Sequence, residues 1–181
     1  MTSTIDTDTF RLPEAITLLE TTPAVLQSLL EHLPQEWLHF KEDSDAWTPH
    51  TVLIHFVHNE RTNWIPRLRV LLLADAVRKF APFHPLPEDD GLAEEPAMQL
   101  ISQFAQLRQE SLSILRSLDL QPNQFDRTAE HPSLGTVSLG QLLATWVVHD
   151  LNHLHQITKS LAKRYRSAVG PWSRNLAILD L

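Results

Sequence analysis

Six residues near the C-terminal end, Leu142, Trp146, His149, His153, Ile157 and Leu161, recur at steps of three and four. That spacing aligns them on one side of a helix, and an amphipathic helix buries such a side against partners along its whole length. The chain must therefore supply other long helices to cover it. It must also accommodate a histidine pair in the middle of a core stripe. His149 and His153, four residues apart, place their side chains about 6 Å apart on the same face. Two imidazoles so placed can share one metal ion at about 2.0–2.1 Å. Spacing alone leaves open a second reading, two buried neutral imidazoles each satisfied by a hydrogen bond.

The partners are legible. A first helix is expected from about Pro13 to His32, with Leu18, Leu19, Val25, Leu26, Leu29 and Leu30 on its apolar side. Pro23 inside it predicts a kink, or a fresh start capped by Thr22. A second opens at "WTPH", with Thr48 as cap and Pro49 in the first turn, and runs to about Arg78, bent by Pro66 near Thr62. A third spans about Pro96 to Leu118. A fourth begins after Ser138, whose S-x-x-Q pairing with Gln141 forms a capping box, and runs to about Tyr165. Between them lie long connections, notably the proline-rich "APFHPLPEDDGLAEEP". The pattern predicts an all-α fold, a four-helix bundle with at least one connection crossing over, as a single domain over residues 1–181.

Composition excludes several chemistries. With no cysteine, disulfides, thiolate metal sites and a cysteine nucleophile are ruled out. A net charge of -7 argues against a nucleic-acid binder, and the basic run "KSLAKRYR" reads as a solvated helix end suited to the negative pole of the helix dipole. The start, "MTSTIDTDTF", is polar and acidic without a leader pattern, and no apolar run reaches the ~20 residues of a membrane span. The expectation is a cytoplasmic protein with no membrane or nucleic-acid partner.

A third metal ligand is sought on a neighbouring helix, and "HTVLIHFVHNE" offers His50, His55 and His58. Three nitrogens leave coordination positions open, as a catalytic metal requires. Two elements then carry a resemblance: Trp47 followed eight residues later by His55, and the run "HPSLGTVSLGQLLATWVVHDLNHLHQI". From about Trp47 to Lys163 the chain resembles the DinB-like superfamily, helical bundles regarded as metalloenzymes. The resemblance implies a four-helix bundle, a homodimer, and a divalent metal (zinc, nickel or iron) held by His55, His149 and His153. His58, one turn past His55, is the competing ligand. His131 reads as a turn residue and His155 as surface. The acids of the two site helices, Glu60 and Asp150, are candidates to support the ligands or to form interhelical ion pairs, while Asn152 and Gln156 are placed near the rim.

The resemblance further implies a thiol S-transferase or isomerase in which the metal activates a small thiol cosubstrate. The lack of cysteine fits a sulfur brought by the substrate. A hydrolase using activated water, and a metal- or small-molecule-binding stress protein without turnover, are the alternatives.

Overall fold

The computed structural model describes residues 10–41, 43–74, 77–87 and 91–179. The polar start of the chain, three residues of the proline-rich connection and the last two residues of the tail lie outside them, as do two residues of the stretch expected to close the second helix.

Helix α1 spans Leu12–Leu30 and is followed by a single turn, α2, Gln35–Leu38. Pro23 neither ends nor restarts α1, which runs through it. What the proline does is withhold the N–H that would bond the Leu19 carbonyl, one turn back. That carbonyl instead accepts from Arg108 Nη1 at 2.8 Å. Thr22, expected as a cap, donates its hydroxyl to Asp150 at 2.7 Å.

Helices α3, Pro49–Thr62, and α4, Trp64–Leu72, correspond to the second expected helix. Thr48 Oγ1 accepts from the Thr51 N–H at 3.0 Å, as its cap role requires. The break falls at Asn63, three residues ahead of Pro66 and next to Thr62, whose carbonyl is the one the proline's missing donor leaves free. The helix stops at Leu72, short of the expected Arg78. The chain then runs beside a β-hairpin, Phe80 N–H donating to the Glu130 carbonyl and Glu130 N–H to that of Arg78.

Helix α5 is Ala97–Ser117. Sequence reading left the next connection without structure, yet it folds into the antiparallel hairpin β1, Thr128–His131, and β2, Gly135–Ser138. Gly135 takes the left-handed φ of 75° at its turn, where a side chain would be strained. Helix α6, Leu139–Lys163, starts with the expected Ser138–Gln141 capping box.

Helices α1 and α3 each pack on α5 and α6. The successive pairs α1/α3 and α5/α6 thus sit across the bundle while α3 and α5 lie side by side, which is the expected crossover. Two buried clusters fill it. One gathers Leu19, Trp64, Leu68, Leu112, Leu143 and Trp146, the other Leu26, Leu53, Phe56, Leu100, Phe104 and Ile157. Among the described residues, no helix is long and apolar enough to cross a membrane.

Candidate metal centre

The α6 stripe faces inward as its period requires: Trp146, His153 and Ile157 are buried, and His149 sits partly open at the edge of a cavity. Helix α3 presents His55, 5% exposed, toward both histidines. One ring nitrogen from each of His55, His149 and His153 lies within 4.8 Å of the others. His55 Nε2 and His149 Nε2 are 2.9 Å apart. Two nitrogens bound at 2.0–2.1 Å to a tetrahedral ion stand roughly 3.3 Å apart, so a small outward shift admits one.

Hydrogen bonds at the far side of two rings set the tautomer. His55 Nδ1 meets the Pro85 carbonyl at 2.5 Å and His153 Nδ1 meets Gln156 Oε1 at 2.8 Å. Both partners accept, so the proton sits on Nδ1 and Nε2 keeps its lone pair. His149 Nδ1 is a buried atom without a hydrogen bond; Asp150 Oδ1 stands 3.6 Å away. Lone pairs facing the cluster from His55 and His153, with a ring nitrogen of His149 beside them and no carboxylate intruding, make a donor set for zinc, nickel or iron.

His58, the competing ligand, turns away and bonds the His84 carbonyl at 3.0 Å. The proline-rich connection therefore touches His55 and His58 through backbone oxygens, and lays Phe83 beside them, 6.5 Å from His55 and 5.6 Å from His58 between ring centroids. Trp47 flanks His55 at 5.0 Å and stacks on His153 at 6.1 Å.

Burial, the largest influence, pushes the His55 imidazole down to about 3 and that of His153 down to about 4. The unfolded chain holds its imidazoles near about 6.5, so acid favours unfolding. Metal-free protein is expected to lose stability progressively as pH falls from about 6.5 toward 4, by up to about 1.4 kcal/mol per pH unit for each ring. Thermal denaturation in EDTA across that window reads this directly. A melting temperature unchanged through it, or an equal fall in the His55→Gln/His153→Gln variant, would refute the assignment.

Beneath the histidines lies a buried charge cluster. Arg108 of α5 bonds Asp150 through Nη1 at 2.6 Å and Nη2 at 3.1 Å, and Glu60 Oε1 through Nε at 2.9 Å. Trp146 Nε1 also reaches Glu60 Oε1, at 3.2 Å, and stacks on Trp64. Burial would push both carboxyls up. His149, Arg108 and Thr22 reverse this for Asp150 and hold it low, whereas Arg108 only partly opposes it at Glu60, which stays raised. Asp150 is thus the counter-charge to the guanidinium, with its other side turned to His149. Both acids do reach across to another helix, as expected. Of the two rim residues, Gln156 orients His153 and Asn152 lies exposed.

A cavity of about 200 Å³ opens against His55 and His149. Its wall includes residues that sequence reasoning missed. Along α3 and α4, His55, Asn59, Asn63 and Arg67 follow at four-residue steps and all line it. That polar stripe was the available signal, hidden because Pro66 argued for a bend within it. His131, taken for a turn residue, ends β1 at the same cavity.

A family model described as the DinB superfamily matches residues 18–157, a span that contains all three clustered histidines. The chain belongs to the DinB superfamily. A relative from Oceanobacillus iheyensis, provisionally named a metal-dependent hydrolase, is 28% identical over 158 residues, 83% of this chain and 86% of its own length. The solved structure of YfiT from Bacillus subtilis, described as a probable metal-dependent hydrolase with an unusual four-helix bundle topology, superposes with a TM-score of 0.71. It covers 86% of this chain and 87% of YfiT at 21% identity, which shows a shared four-helix bundle fold.

Proposed function

We propose that this chain is a metal-dependent hydrolase of small molecules, with His55, His149 and His153 as the ligands of one divalent ion. The observation that carries the reading is the convergence of three imidazole nitrogens at the inner wall of a small cavity. The relative from Oceanobacillus iheyensis, named for such an activity, supports it. An ion with three protein ligands is a Lewis acid that brings the pKa of water toward neutrality.

The chain's own groups do the rest. Pro85 and Gln156 hold two rings in the donor tautomer, and Asp150 stands ready to take the Nδ1 proton of the third. Trp64, Phe80 and Phe83 exclude bulk water from one flank of the cavity. Hydrolysis adds the oxygen of water to the electrophilic centre and its proton to the departing group. The thiol-transfer expectation differs only in the nucleophile, a cosubstrate thiol in place of water, and uses the same histidines. The homodimer implied by the resemblance belongs to the same proposal, with Val148 and Leu151, exposed on α6, as apolar residues suited to a second copy.

The test is elemental analysis of purified protein, then turnover of small aryl esters before and after chelation, with a parallel arm offering small thiols and an electrophilic acceptor. Sedimentation of the same sample reports the oligomer. One equivalent of metal and ester hydrolysis restored by zinc or nickel are expected. Metal-dependent thiol conjugation without ester hydrolysis would replace hydrolase by transferase, and protein that binds no metal would end both.

A further inference from the structure

Among the described residues, one side chain of the cavity wall has a charge and no counter-charge. Arg67 is half-buried, and burial pushes its guanidinium down from the ordinary arginine value. Its guanidinium carbon lies 5.0 Å from the Phe80 ring centroid and 5.6 Å from that of Phe83. Among the described residues no carboxylate pairs with it. This is unusual in a chain of net charge -7, where acids are plentiful. Arg108, buried in the bundle interior, is surrounded by two carboxylates, and the half-buried Arg78 and Arg127 bond backbone carbonyls. Placing a cation between two aromatic rings without a partner costs solvation that the rings offset only in part.

Its position gives the charge a direction. The stripe His55, Asn59, Asn63 and Arg67 leads along the cavity from the histidines to the guanidinium. Asn63 Nδ2 donates to Asn59 Oδ1 at 2.9 Å, and Asn63 Oδ1 is buried without a hydrogen-bond partner. Phe83 bridges the two ends, since its ring also stands 6.5 Å from the His55 centroid. At about 200 Å³ the space is below the ~300–1,000 Å³ of drug-sized pockets, so its occupant is small. His131, the other titratable group on the wall beyond the metal-site histidines, is pushed down by burial and by Arg67 itself. Among the described residues Arg67 is then the sole permanent positive charge facing the cavity, which matches a single negative charge. A planar guanidinium fork suits a carboxylate.

We infer that the cavity binds a small organic carboxylate, its acid group on Arg67, its apolar body between Trp64, Phe80 and Phe83, and its reacting bond toward His55 and His149. This rests on the hydrolase reading only for which end reacts; recognition of the acid by Arg67 is measurable without metal.

The probes are phenylacetate and its neutral isostere phenylacetamide, titrated calorimetrically into metal-loaded protein and into protein stripped with EDTA. Stripped wild-type protein is expected to prefer the acid by about tenfold or more, and Arg67→Gln to lose that preference. Arg67→Lys, which keeps charge but not the fork, is expected to fall between them. Equal affinity for acid and amide in stripped wild type overturns the inference, as does a preference that survives in Arg67→Gln. A preference present only with metal and indifferent to Arg67→Gln also overturns it, because the carboxylate then sits on the ion. Failure of the chain to bind metal would sink the hydrolase reading while leaving the stripped-protein comparison intact.

Discussion

Arg108→Ala is expected to lower the unfolding free energy by about 3–5 kcal/mol, the loss typical when one member of a buried ion cluster is removed. The guanidinium is 2% exposed and joins three helices: Glu60 on α3, Asp150 on α6 and the Leu19 carbonyl on α1. Without it, two carboxylates and a carbonyl are left together in an apolar interior. A domain of this kind has only about 5–15 kcal/mol in all, so the variant should melt far lower or fail to accumulate. Urea denaturation measures the effect. The comparison variant, with Arg108, Glu60 and Asp150 replaced together by Met, Leu and Leu, should recover most of the loss, since what destabilises is the unpaired acids rather than the missing bonds. A loss below about 1 kcal/mol for Arg108→Ala would mean that water reaches the cluster.

His149→Ala is expected to weaken metal binding by about a hundred- to a thousandfold while leaving the helical fold in place. The estimate assigns one ligand a proportionate share of the ~10–16 kcal/mol seen for tetrahedral zinc sites. The side chain is 16% exposed and at the cavity edge, so its removal disturbs packing little. Metal titration followed by elemental analysis, with circular dichroism as the fold control, gives the answer. Asp150→Asn should reduce affinity less, about 10–100-fold, because it touches the ligand and not the ion. Unchanged affinity in His149→Ala would remove the histidine cluster from consideration as the metal centre.

The parts of this molecule that periodicity governs were legible in the sequence. The α6 stripe, the Ser138–Gln141 box and the Thr48 cap each express a local rule, and each appears where its residues predict. The histidine cluster was legible for a related reason, because four-residue spacing fixes His149 against His153 whatever the rest of the fold does. What escaped depends on tertiary partners. Pro23 was read as a kink or a fresh start, yet the Leu19 carbonyl it frees is occupied by Arg108, 89 positions away in the chain. The hairpin at Thr128–Ser138 was missed because its strands are too short to show alternation and gain their order from the segment around Phe80. Arg67 was missed because the bend predicted at Pro66 hid the four-residue stripe it ends; its meaning lies in the rings and the cavity that surround it.

The proline in α1 has a consequence for how this scaffold could be altered. Exchanging Pro23 for alanine would ordinarily be a stabilising repair, since it returns an amide donor to the middle of a helix. Here the returned donor would compete with the guanidinium for one oxygen. An engineer smoothing α1 by rule would loosen the seat of the residue that secures Asp150, and through it the neighbour of His149. The irregularity is a docking notch, and heat-resistant versions of the bundle should be sought by changing other positions.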